Sequence, residues 1–307
     1  MNQFKLGAYI QDQITYKGII FNPGLRIDIM DPMNKYRILD PNAPNGLMFI
    51  PISYNSGFEN TDLKYQISPR ININYPLTER SFVSMSYGQF FESPKADYLY
   101  QYFNMEQMST EAASSVIVGD PNMEAQLTNQ YQIEYKNMIT DEVAVSLSVY
   151  FKDIYNQLGI QLIQTTPAMY MQYAVSEYGS SKGIEVEVSK SLSNYFAFSL
   201  NYTLAWILVT ATDESSNASV YMDPYSGKQT FPLSPYYSNN DVRHRIKGTF
   251  QFIMGKDEGP SLLGFKPLQN MFLSFEPTVR SGLPYTRTVY PGAQSMSERN
   301  IYRSPSY

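Results

Sequence analysis

The sequence predicts an all-β protein, an antiparallel sheet of about ten strands that crosses a membrane. Three observations predict it. Apolar and polar residues alternate with period 2 along the whole chain. Many alternating runs exceed the roughly 5–6 residues of a soluble strand and reach the ~9–11 needed to cross a bilayer at a tilt. The connections between runs alternate in length, short then long, as they do when turns lie at one rim of a barrel and loops at the other.

The runs lie near 4–15, 18–29, 65–75, 80–90, 127–138, 142–156, 172–190, 194–210, 241–254 and 268–280. In 65–75, Tyr65, Ile67, Ile71, Ile73 and Tyr75 oppose Gln66, Ser68, Arg70, Asn72 and Asn74. In 130–136, Tyr131, Ile133 and Tyr135 oppose Gln130, Gln132, Glu134 and Lys136. In 143–152, Val143, Val145, Leu147, Val149 and Phe151 oppose Ala144, Ser146, Ser148, Tyr150 and Lys152. In 183–189, Ile184, Val186 and Val188 oppose Glu185, Glu187 and Ser189. In 196–206, Phe196, Phe198, Leu200, Tyr202, Leu204 and Trp206 oppose small and polar residues. In 243–252, Ile246, Phe250 and Phe252 oppose Arg243, Arg245, Lys247, Thr249 and Gln251.

Short connections are expected at Tyr16-Lys17, 76–79, 139–141 and 191–193, and a longer one on the same side at 255–267. Long loops are expected at 30–64, 91–126, 157–171 and 211–240. The apolar face, with Tyr and Trp near strand ends, suits lipid and its aromatic girdles. The other face is too polar for a dry core, where each unpaired group costs several kcal/mol, so it faces a wet lumen. A soluble sandwich would invert the two faces. Pro23, Pro69 and Pro277 fall inside strands, where proline removes a ladder donor, and bulges are expected there.

Composition narrows the function. The chain of 307 residues has a net charge of −5, which argues against nucleic acid as a partner. Charged residues are 17%, below the ~25% usual in soluble domains. Cysteine is absent, so disulfides, thiol nucleophiles and cysteine zinc sites are excluded. His244 is the only histidine, so no multi-histidine metal site exists. Mean hydropathy is −0.33, and no run approaches the ~18 apolar residues of a transmembrane helix.

No catalytic constellation emerges. Asp241 and His244 are three apart on a strand and point to opposite faces, so no triad forms. Glu185 and Glu187 share the polar face with Arg243, Arg245 and Lys247, and these rows are expected to neutralise each other along the wall. The chain is therefore expected not to be an enzyme and to need no cofactor. Asp31, Asp213 and Asp223 lie in long loops without EF-hand spacing. Loop aromatics and methionines (Tyr98, Tyr100, Tyr102, Phe103, Met105 and Met108, then Tyr221, Tyr225, Tyr236 and Tyr237) either clamp a ligand or order the loops by packing together.

Several segments taken in order resemble a known family. They are Gly7-Ala-Tyr-Ile-Gln-Asp12 with Pro23-Gly-Leu-Arg-Ile-Asp28, Ile67-Ser-Pro-Arg-Ile-Asn72 with Tyr75-Pro76, and Tyr87-Gly-Gln-Phe-Phe91. Gly119-Asp-Pro-Asn122, Tyr150-Phe-Lys-Asp-Ile154 and Lys182-Gly-Ile-Glu185 follow. Asn201-Tyr202, Asp241-Val-Arg-His244 and Ser281-Gly-Leu-Pro-Tyr285 complete the set. Together they resemble the β-barrel of TonB-dependent outer-membrane receptors, and in particular the Bacteroidetes group carrying an N-terminal carboxypeptidase-regulatory-like domain.

The resemblance implies a place in the outer membrane and uptake of a scarce nutrient (siderophore, cobalamin, glycan or peptide) driven by the proton gradient. It implies a barrel of about 22 strands, of which residues 1–307 are a part, without plug domain, TonB box or signal peptide. Expected partners are the TonB complex through the N-terminal region, a plug domain of the same chain, outer-membrane lipid, and an unidentified small or oligomeric substrate. Strand phase places Arg70, Glu134, Lys136, Glu185, Glu187 and Arg243 on the lumen face, against the plug or along the path. Two alternative readings are a small self-contained pore or adhesin, and a soluble glycan-binding β-sandwich.

Overall fold

In this computed structural model, the described residues are 3–37, 58–101, 117–164, 169–211, 235–286 and 303–304. They form one large, mainly antiparallel sheet, whose main path has ten strands, each next to its neighbours in sequence, and two separate two-stranded ribbons. We number these β1 (Phe4–Gln11), β2 (Ile19–Asp31), β3 (Lys64–Thr78), β4 (Ser81–Glu92) and β5 (Gln126–Met138). They continue as β6 (Val143–Gln164), β7 (Met169–Ser193), β8 (Phe196–Val209), β9 (His244–Met254) and β10 (Met271–Phe275).

The alternation forces one layer with two unlike faces. Residues directly opposite in antiparallel strands point the same way, so registers define rows across the sheet. One row runs Tyr87, Tyr131, Phe151, Lys182, Trp206. Its rings are tilted against each other, with centroids 4.9 Å apart for Tyr87–Tyr131 and 6.3 Å for Tyr131–Phe151. A second aromatic row on the same face runs Phe198, Phe250, Phe275, at 6.2 and 6.4 Å. Along β8 the rows are separated from Trp206 to Phe198, about 26 Å of strand and roughly 20 Å of height at a ~40° tilt. Between them lie Ile133, Val149, Ile184 and Leu204 in one row. Ile133 is 54% exposed and Val149 50%, with no protein covering them. An apolar band between two aromatic girdles is a surface built for lipid. It also removes the sandwich reading: among the described residues no second layer packs on this face.

The loop pattern holds, with corrections at particular places. The β1–β2 turn is a two-residue turn with both central residues at positive φ, Lys17 at 48° and Gly18 at 84°, the geometry that matches strand twist. The β7–β8 turn is of the same kind but sits at Asn194 and Tyr195 (φ 51° and 69°), later than the expected 191–193. The expected loop 157–171 is mostly strand, because β6 and β7 continue as a ladder to Gln164↔Met169. Register shifts at Ile154/Gln157 and Gln157/Leu158, with Asn156 at φ 57°, let this hairpin bend while its backbone stays paired.

The three prolines do not make bulges. Gln11 opposes Gly24 and Ile14 opposes Phe21, so register is unchanged across Pro23. Phe250 opposes Phe275 and Lys247 opposes Thr278, so it is unchanged across Pro277. The β2–β3 ladder runs straight through Leu25↔Pro69, and the β3–β4 ladder begins beside it at Arg70↔Gly88. Each proline loses one donor but keeps its carbonyl. Pro23 O accepts from Asp12 N–H at 3.0 Å and Pro277 O from Gly248 N–H at 2.9 Å. One missing bond opens a gap without needing an extra residue. The bulge by proline is at Pro76/Thr78, in a turn.

The apolar packing that exists lies at the long-loop end. Leu99, Met123, Ile160 and Tyr173 form a buried cluster, with the Tyr98 ring tilted against Tyr173, centroids 5.0 Å apart. A short helix, Ala96–Tyr100, and the pair Ile117–Val118, parallel to Met171–Gln172, seat the 91–126 connection against the β6–β7 hairpin. Among the described residues the sheet stays open: β1 and β10 each pair on one side of the path and do not pair with each other. These registers do not form a closed ten-strand pore among the described residues.

Adjacent positions on β5 test the two faces. Ile133→Arg, toward lipid, is expected to cost about 2–4 kcal/mol, and Gln132→Arg, toward the lumen, under about 1 kcal/mol. Urea unfolding of the receptor containing this chain from lipid vesicles reads the difference; equal costs would contradict the assignment.

Candidate functional site

The second face of the sheet is a continuous polar wall. Its rows are joined by side-chain hydrogen bonds. Asn74 Nδ2 donates to Asn72 Oδ1 at 2.7 Å, Asn72 Nδ2 to Ser84 Oγ at 3.3 Å, and Thr203 Oγ1 to Asn201 Oδ1 at 3.2 Å. Arg26 and Asp28, two apart on β2, form a forked ion pair at 2.8–3.0 Å. A carboxylate beside it holds the Arg26 side chain in one orientation.

The six residues expected on this face fall into three places. Glu134, Lys136, Glu185 and Glu187 form a quartet across β5, β6 and β7. Glu134 and Glu185 both oppose Ser148, and Lys136 and Glu187 both oppose Ser146. Ser146 Oγ donates to Glu134 Oε1 at 2.9 Å. Small serines on the middle strand leave the four charged side chains room over the lumen.

Arg243 departs from the expected face: it lies just before β9, and the two rings beside it, Trp206 of the apolar-face row and Tyr237 opposite Leu208, are on the apolar side. Its guanidinium reaches Asp241 at 3.1 Å and lies over Trp206 at 5.2 Å and Tyr237 at 5.1 Å. Asp241 is fully buried and also accepts Ile207 N–H at 2.8 Å. This anchor was invisible in strand spacing, because Asp241 precedes the strand and turns back onto β8. Arg70 forms the third place, in a groove on β2–β4 described below.

One expectation fails. Glu185 and Glu187 do not pair with Arg245 and Lys247, because Thr203 and Asn201 of β8 lie directly between them. Two strand spacings, roughly 10 Å, are too far for an ion pair. His244 behaves as expected: its Nδ1 lies 2.9 Å from Tyr202 Oη on the lipid-facing side, away from Asp241. Among the described residues there is no cluster of three metal-ligating side chains.

The loop aromatics order the long-loop end. Tyr98 belongs to the buried cluster, and Tyr100 Oη donates to Pro32 O at 2.5 Å. Tyr102, Phe103, Met105, Met108, Tyr221 and Tyr225, with Asp213 and Asp223, lie outside the described residues. The Gly119–Asn122 turn is a clasp between loops. Asn122 and Asp62 exchange two hydrogen bonds at 2.9–3.0 Å, and Lys64 pairs with Glu124 at 2.6 Å. Gln172 Nε2 donates to Gly119 O at 3.4 Å. Burial raises the Asp120 pKa above the usual carboxylate value, opposed by the Asn122 N–H and by Lys64 and assisted by Glu124.

The family model described as TonB dependent receptor-like, beta-barrel, matches residues 1–307. A search of curated proteins finds no match. Among solved structures, the apoprotein form of the FrpB iron transporter from Neisseria meningitidis (F5-1 variant) is similar with a TM-score of 0.57 and 11% identity, covering 99% of this chain and 37% of that one. The F3-3 variant of the same transporter is similar with a TM-score of 0.51 and 13% identity, covering 82% and 31%. At these identities the likeness is one of fold, and the chain spans about a third of the length of these structures.

Asp120 generates a pH prediction. A carboxyl whose folded pKa is raised stabilises the fold in its protonated form, fully in acid, and that contribution is lost as pH rises through the raised value. Protection of the 119–124 amides, corrected for intrinsic exchange, is expected to fall as pH rises above the usual carboxylate range. In Asp120→Asn that fall is expected to shrink.

Proposed function

This chain belongs to the TonB-dependent receptor β-barrel family, and on that premise we propose that it forms part of the wall of an outer-membrane receptor for nutrient uptake. The single observation behind the proposal is the sheet with one bare apolar face and one hydrogen-bonded polar face, matched by the family over the whole chain. The apolar face meets lipid. The polar face holds a plug domain of the same receptor, and past it the nutrient is taken in whole. The TonB complex, engaged through the receptor's N-terminal region, supplies the work. The nutrient is of the class such barrels carry: siderophore, cobalamin, glycan or peptide.

The wall does no bond chemistry in this reading. Glu134, Lys136, Glu185 and Glu187 form a charged band for the plug to slide against. Arg243, fixed by Asp241 and two rings, stiffens the outer end of β8 and β9. Arg70 lines the upper path.

Deleting the gene in its host tests the proposal. Growth is expected to fail when one scarce nutrient limits it, and to be restored by the intact gene only where TonB is active. Undiminished uptake, or restored uptake without TonB, would overturn the proposal.

A further inference from the structure

Arg70 stands in a row of the polar face that is otherwise nearly bare. The row runs Gly24, Arg70, Gly88, Gln130, Lys152 across β2 to β6. Glycine on both sides of Arg70 leaves a trough. It belongs to a groove of about 530 Å³ lined by Tyr9, Asn22, Asn72, Phe90 and Gln130 with Arg70 itself. A Cβ at Gly88 would come within 3.2 Å of the Phe90 ring and 3.6 Å of Arg70 Cγ, so any side chain there would crowd the trough floor.

The two cations of this row are held but not neutralised. The Arg70 guanidinium lies 4.6 Å from the Phe90 ring centre, and Lys152 Nζ lies 5.6 Å from that of Tyr150. A ring face orients a cation without cancelling its charge. Neither forms an ion pair among the described residues, whereas Arg26, Lys64 and Arg243 each do. The neighbouring polar-face positions on β3 to β6 carry Ser68, Asn72, Ser86, Phe90, Thr128, Gln132, Tyr150 and Ile154, without a carboxylate. Three strand spacings, about 14 Å, separate the two cations.

We propose that this strip is a binding site for a carboxylate. The acid group lies in the trough on the Arg70 fork, whose planar geometry suits a carboxylate in two hydrogen bonds. Lys152 attracts the group along the wall from a distance. The Asn72 and Gln130 amides and the Ser86 hydroxyl flank it. The inference rests on reading this face as the lumen. The acid belongs either to a solute in transit or to an acidic segment of the same receptor.

The test uses the whole receptor containing this chain, purified in detergent. Glutarate is the probe, and its binding is measured by calorimetry in the wild type, Arg70→Lys, and Arg70→Gln with Lys152→Gln. The melting temperature of each is measured at low and high salt. Lys17→Gln, on the β1–β2 turn, is the control. For a solute site, glutarate binds, the double variant weakens it about tenfold or more, Arg70→Lys weakens it less, and melting is unchanged. For a resident acidic segment, glutarate does not bind, but the double variant lowers the melting temperature and reduces its salt dependence. The proposal is overturned if glutarate binding is absent or unaffected and melting also matches the control. None of these readouts involves uptake, so loss of the uptake reading and loss of this site are told apart.

Discussion

Backbone hydrogen bonding in lipid governs this structure. An unpaired N–H or C=O inside a bilayer costs several kcal/mol, so a spanning sheet must satisfy its strands sideways. Along the path of ten strands in sequence order, the inner strands meet that demand by pairing on both sides. The ladders force every second side chain outward, and lipid accepts only apolar ones. The period-2 sequence is thus the trace of one constraint. Where a proline removes a donor, at Pro23 and Pro277, the ladder gaps but keeps its register, because a shift would swap the faces of everything beyond it.

The same constraint explains what the sequence made legible. Face assignment was readable at Ile133 against Gln132 because alternation is a local property. The β1–β2 turn lies at Lys17-Gly18, one residue later than the expected Tyr16-Lys17, and the one at Asn194–Tyr195 was not readable, since tyrosine seldom takes positive φ. The hairpin extension to Gln164 and Met169 was missed because, beyond the membrane, nothing requires alternation. There the β6–β7 ladder stands on a local cluster around Leu99 and Ile160.

The charged residues divide along the same line. Strand phase placed Glu134, Lys136, Glu185 and Glu187 on the polar face, and register brings them together over Ser146 and Ser148. Strand phase could not tell that β8 would stand between the acids of β7 and the bases of β9. Register decides which charges meet, and it is set by turns and pairing order across the sheet. The Arg70 trough depends on it too: Gly24 and Gly88 are far apart in sequence and flank Arg70 only because three strands align.

The account's central claim is that one face of this sheet meets lipid and the other meets water. Residues 1–307 hold no cysteine, so single cysteines at positions 130–136, in a receptor whose remaining cysteines are replaced, are unambiguous probes. Each would be labelled with a fluorophore in the membrane-embedded receptor and exposed to a lipid-borne nitroxide quencher and to a water-soluble one. The account predicts lipid quenching at 131, 133 and 135, and weak lipid quenching at 130, 132, 134 and 136. Quenching without alternation, or aqueous quenching at every position, would contradict it.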